Sequence, residues 1–163
     1  SMRLRKKRKK EAIYLECHFW LECMAPKKLD AERFFPPTSF RTLVDLKGQD
    51  FEDKWSPQFI EENTNELKGD LVQRAIPVLR RNIPSLILAS EEKVQPMVRD
   101  YILQKTKEMK LICDSEISRL LHMKARKLSV REEEIVAHKK LKDVLENSFE
   151  NAKMRLDSVR VIF

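Results

Sequence analysis

Apolar residues recur along most of this chain at intervals of three and four, the spacing of one helix face. From about Gln95 the run MVRDYILQKTKEMKLICDSEISRLLHMKARK keeps Met97, Val98, Tyr101, Met109, Ile112, Ile117, Leu120 and Leu121 on an approximate stripe, which predicts one long helix. A second helix is predicted just beyond it. In SVREEEIV, Ser129 stands three residues before Glu132, the spacing of a capping box in which each side chain satisfies the other residue's free amide. That helix is expected to run to about Val159, with a seam of Ile135, Leu145, Phe149, Ala152, Leu156 and Val159 interrupted by His138 and Lys142. Two long helices joined at Leu128–Val130 are expected to fold back as an antiparallel hairpin.

The first half is more broken. EAIYLECHFWLECM, residues 11–24, spreads Ile13, Leu15, Cys17, Phe19, Trp20, Leu21 and Met24 round most of a helix, which predicts a helix buried on several sides and ended by Pro26. LDAERFFPP reads as a short helix or turn stopped by Pro36 and Pro37. TSFRTLVDLKG reads as a cap at Thr38 or Ser39, two helical turns and a stop at Gly48. WSPQFIEEN is a strong helix start, because Ser56 can accept from free amides and Pro57 lacks an N–H where none is needed. The chain restarts at Asp70, Pro77 predicts a kink or break, and Pro84 opens the apolar piece PSLILAS. No strand-like alternation is read over more than a few residues, and there are only two glycines, too few for a turn-rich sandwich or barrel. The expected fold is therefore all-α. It comprises a basic disordered arm over residues 1–10, a compact helical cluster over 11–92 and, packed on it, a long antiparallel helical hairpin over 93–163.

Charge changes the picture at one end only. The arm carries Arg3, Arg5, Lys6, Lys7, Arg8, Lys9 and Lys10 with no acidic residue. These seven account for the whole net charge of +7, because the remaining 26 lysines and arginines balance 26 acidic residues. Anion-seeking behaviour is expected from the arm, which can address a nucleus or hold phosphates of nucleic acid or anionic lipid. It has no interleaved aromatics on which bases could stack. Ser1-Met2 reads as a remnant of expression cloning, so residue 3 is expected to lie inside a longer natural protein.

Candidate chemistry is sparse. The three cysteines, Cys17, Cys23 and Cys113, are an odd number, and no secretory signal is visible, so reduced thiols in the cytosol or nucleus are expected. No run approaches the ~20 apolar residues of a membrane span. Cys17, His18 and Cys23 fall at spacings that one helix face cannot bring together, and neither CxxC nor HxxxH occurs. There is no nucleophile elbow, glycine-rich phosphate loop or H-E-x-x-H. No catalytic residue, cofactor or metal is expected. Arg126 and Lys127 precede Ser129 in the pattern of a basophilic kinase substrate, and a phosphate there would meet the free amides of the last helix and tighten it.

FWLEC, Phe19 to Cys23, resembles a signature of the regulator-of-G-protein-signalling family, and NIPSLILAS, Asn82 to Ser90, is similar in shape to that family's closing Pro-containing stretch. Where the family carries an asparagine three residues before the phenylalanine, this chain has Glu16. The resemblance, over about residues 11–92, implies a helical module that accelerates GTP hydrolysis by holding a G protein's switch segments. From the residues alone, the expected function is a non-enzymatic protein-interaction or scaffold module within a larger intracellular protein. Its apolar helix faces would do the binding. The seam of Ile135, Leu145, Phe149, Leu156 and Val159 is expected to pack on the chain's own core. The alternative use of that seam is pairing with a partner helix or a second copy, with His138 and Lys142 setting register. Nucleic acid or an anionic surface is expected as a partner through the arm only.

Overall fold

The computed structural model describes residues 13–64 and 69–162. In chain order it forms β1 (Tyr14–Glu22), two single 3-10 turns (Lys27–Leu29 and Ala31–Arg33), β2 (Thr38–Asp45), α1 (Pro57–Asn63), α2 (Gly69–Ala125), α3 (Glu132–Glu150) and β3 (Lys153–Ile162). The strands make one antiparallel sheet in the order β2-β1-β3. The all-α expectation is thus corrected to α+β: two of its helices are strands, and the end of a third is another.

In β1 and the first half of β3 the correction has one cause, a period of two where a period of 3.6 was read, whereas in β2 Thr42, Leu43 and Val44 are buried in succession. In β1, Leu15, Cys17, Phe19 and Leu21 are all buried, while Tyr14, His18, Trp20 and Glu22 between them are half-buried. An apolar set that would wrap round most of a helix lies on a single face of a strand. In β3, Met154 and Leu156 are half-buried between exposed Lys153, Arg155 and Asp157. Leu156 and Val159 therefore belong to a strand, not to the last helix, which ends at Glu150. Gly48 keeps the left-handed conformation expected of it, with φ 75°, but it closes a turn after β2 instead of a helix. Its N–H donates to the Asp45 carbonyl, and the Asp45 carboxylate accepts from the amides of Lys47 and Gln49. The helix start at Ser56-Pro57 is found as expected, with Ser56 Oγ accepting from the Phe59 amide at 3.1 Å. α2 runs through Pro77, Pro84 and Pro96 without interruption, so the expected break at Pro77 does not occur.

The described residues divide into two compact units, one of residues 13–18, 41–64, 69–94 and 156–162 and the other of 19–40 and 95–155. The first is built on Leu43, Ile60 and Ile162, against which Tyr14, Phe51 and Trp55 pack. The Tyr14 ring meets Phe51 edge-on at 5.2 Å and Trp55 at 4.5 Å. In the second unit, Phe35 links Tyr101 of α2, at 5.3 Å, to Phe149 of α3, at 4.9 Å. The Tyr101 hydroxyl donates to the Pro36 carbonyl at 2.9 Å.

Candidate functional site

Two arrangements stand out, one in each unit. In the first unit a carboxylate is buried on the central strand. Glu16 is 1% exposed. Arg41 Nε, from β2, donates to its Oε1 at 2.7 Å, and Arg160 Nε, from β3, donates to its Oε2 at 2.6 Å. His18 Nε2 lies 3.8 Å from Oε1. Burial pushes the Glu16 carboxyl up, but the hydrogen bonds from Arg41 and Arg160 and the attraction of both cations outweigh it and leave the carboxyl below its usual range. The three charges come from three neighbouring strands, so they clamp the sheet edge to edge. With both oxygens bound, Glu16 is a brace and not a free base. Beside it, the Cys17 thiol has the Ser90 and Thr42 hydroxyls as polar neighbours, and burial pushes the thiol up.

The second unit presents an accessible surface. α2 and α3 lie antiparallel, held by ion pairs of Lys124 with Glu132, Asp114 with Lys142 and Lys110 with Glu146. Each pair is centred on Leu128, so one constant register runs from the turn down the hairpin. Ile135, Leu145 and Phe149 of the predicted seam are buried here within the chain's own core. On the outside, a groove of about 670 Å³ is lined by Leu29, Arg33 and Phe34 from the 3-10 turns, Leu111 and Ile112 from α2, and His138 and Leu141 from α3. Leu111 is 64% and Ile112 48% exposed. Cys113 also lines the groove, its thiol raised by burial first and then by Asp114, against the pull of Lys142 and Arg33, so it stays protonated at neutral pH. Asp30, Ser115 and Glu116 complete the lining, so the groove can hold apolar groups with polar and charged side chains at their edge.

The turn closing the hairpin is tightly built. The Leu128 amide donates to the Met123 carbonyl at 3.1 Å and the Lys127 amide to the Lys124 carbonyl at 3.0 Å. These are the two bonds of a Schellman motif. Lys127 occupies its left-handed position, with φ 56°. Ser129 is exposed in this connector. α3 begins at Glu132 with Arg131 at the N-cap and no side-chain cap bond, so Ser129 stands two residues outside the helix and the expected capping box is not formed. Lys142, read as an interruption of the seam, pairs with Asp114, and half-buried His138 faces the groove. Arg3 to Lys10 lie outside the described residues. No helix of the described residues is long and apolar enough to cross a membrane. Sequence reading missed the Glu16 clamp. The signal was present, since a glutamate between Leu15 and Cys17 in an alternating run marks a second sheet face.

Residues 1–163 match the family described as "RNA polymerase recycling family C-terminal". The chain is 27% identical over 150 residues to the RNA polymerase-associated protein RapA of Pasteurella multocida. It is 30% identical over 151 residues to the RapA of Vibrio cholerae and 27% identical over 150 residues to that of Stutzerimonas stutzeri. In each case the match covers 92% of this chain and 16% of the relative. The resemblance to regulators of G-protein signalling is overturned by this match. The fold agrees, because FWLEC lies in and just after a strand and not in a helix.

Proposed function

Because the chain belongs to the family described as "RNA polymerase recycling family C-terminal", we propose that it is a non-enzymatic interaction module that docks its protein against RNA polymerase inside the cell. The observation that carries the proposal is the groove of the second unit, where Leu111 and Ile112 stand 64% and 48% exposed beside Phe34 and Leu141. Adjacent large apolar side chains left in water beside a concavity are the usual mark of a surface awaiting a partner. A second copy of the chain is not favoured as that partner through the predicted seam. Ile135, Leu145 and Phe149 are already spent on the core.

The test is binding of the 163-residue chain to purified RNA polymerase by interferometry. Leu111→Asp with Ile112→Asp should weaken it about tenfold or more, as loss of an interface hot spot does, with an unchanged helical circular-dichroism spectrum. Undiminished binding removes the groove from the interface. A second reading rests on the seven cations of Arg3–Lys10, which would hold nucleic acid loosely beside the polymerase.

A further inference from the structure

The turn between α2 and α3 is built in a way the groove does not explain. Position 127 requires a left-handed backbone, the place where glycine or asparagine normally stands because a Cβ is strained there. The chain carries lysine instead, at φ 56°. Strain retained at an exposed turn points to a use for the side chain. Around it the charge is one-sided. From Ile117 to Arg131 there is no acidic residue. Arg119 and Lys124 are spent on Glu116 and Glu132. Arg126, Lys127 and Arg131 are exposed and enter no ion pair among the described residues. Between these cations Leu128 is 52% exposed, held on a backbone fixed by both Schellman bonds. Leu121 and Val136, in the adjoining helix ends, are exposed as well.

We propose that this turn is a docking knob for an acidic protein surface, in which Leu128 enters an apolar depression and Arg126, Lys127 and Arg131 pair with carboxylates at its rim. An apolar anchor flanked by arginines suits a protein interface, where arginine is enriched and the rim around the buried centre is polar. Nucleic acid fits less well. Phosphates gain nothing from exposed leucines, no Phe, Tyr or Trp lies between Ile117 and Arg131 for stacking, and Glu133 and Glu134 follow at once and would repel a phosphate backbone. Those two glutamates also orient the partner, whose acidic patch must lie over the turn and not over the start of α3.

This inference rests on the reading that RNA polymerase is the docking partner, and it names the chemistry of the patch met. Its test is the binding of RNA polymerase to the 163-residue chain in four forms: unaltered, Lys127→Gly, Leu128→Asp, and Arg126→Glu with Arg131→Glu. Lys127→Gly relieves the strained backbone while deleting the charge, so its melting temperature should not fall although its binding weakens. Leu128→Asp and the double charge reversal should each weaken binding about tenfold, as loss of a central anchor or of rim charges does, with the reversal losing most at low salt. A structural role alone would make stability and binding fall together. Three turn variants that bind like the unaltered chain overturn the knob, and if Leu111→Asp with Ile112→Asp still weakens binding, the docking function survives without it. If the unaltered chain does not bind the polymerase, both proposals fall. Turn variants that lose binding to duplex DNA but not to polymerase would show a phosphate site and overturn the protein-docking reading.

Discussion

Glu16 shows how much one residue can decide. A carboxylate 1% exposed is costly to bury, and it is tolerable here only because two guanidinium groups bind both of its oxygens. The reverse dependence is as strong, since the Arg41 side chain is 10% exposed and Glu16 is its ion-pair partner. Removing the carboxylate leaves a buried cation unpaired. Glu16→Ala should therefore cost about 3–5 kcal/mol in urea unfolding, far more than an ordinary surface glutamate. The sign of the pH effect follows from the lowered Glu16 carboxyl. Its contribution is complete above the unfolded value and is lost as pH falls through the folded one. The unaltered chain should thus lose more stability than Glu16→Gln on going from neutral pH to below about pH 4, the unfolded glutamate range. Parallel urea midpoints for the two proteins at both pH values would refute the clamp. Glu52 behaves oppositely, its carboxyl raised by burial first and then by Asp50, so Glu52→Gln should stabilise slightly at neutral pH.

At the scale of the element, the hairpin was legible and the sheet was not, and both outcomes trace to period. Met109, Ile117 and Leu120 of α2 and Ile135, Leu145 and Phe149 of α3 recur at helical intervals and are all buried. The signal in Tyr14–Glu22 is a strict two-residue alternation, but Trp20 and Tyr14 are apolar enough to blur the polar face, and the segment then reads as a helix apolar all round. Glycine at position 48 misled for a related reason. A left-handed residue ends a helix or closes a strand turn equally well. The prolines were over-weighted. Each of Pro77, Pro84 and Pro96 removes one helical bond, yet the bonds on either side keep α2 continuous from Gly69 to Ala125. Pro84 and Pro96 are exposed, so Pro84→Ala and Pro96→Ala should each stabilise the chain, by about 1–2 kcal/mol once the stiffer unfolded state of the proline form is allowed for. Packing should dominate over pairing on the hairpin. Phe149→Ala, which removes a fully buried ring touching Phe35, should cost about 3–5 kcal/mol. Lys142→Ala, which breaks an exposed ion pair with Asp114, should cost about 1 kcal/mol or less. Thermal melts of the two variants rank the two forces directly.

At the scale of the whole molecule, charge and length set the limits of the functional reading. The net charge of +7 resides in Arg3–Lys10, and the rest of the chain is balanced. If the arm holds nucleic acid, a chain lacking residues 3–10 should lose weak, salt-sensitive binding to duplex DNA, while the proposed docking on RNA polymerase through the hairpin is retained. Titrations of both partners at two salt concentrations separate these terms. The chain spans about 16% of the length of the curated relatives it matches. What the sequence determined by itself was local: helical intervals in α2 and α3, the cap at Ser56, the left-handed glycine, and the separation of arm charge from body charge. These depend on neighbours a few residues away, and local sterics and hydrogen bonds settle them. Only the tertiary structure decided that residues 14–22, 38–45 and 153–162 pair as strands, that Glu16 finds Arg41 and Arg160 across 25 and 144 residues of chain, and which leucines stay in water. A strand has no bonding partner within itself, so its existence is a property of residues distant in the chain, and periodicity alone cannot supply them.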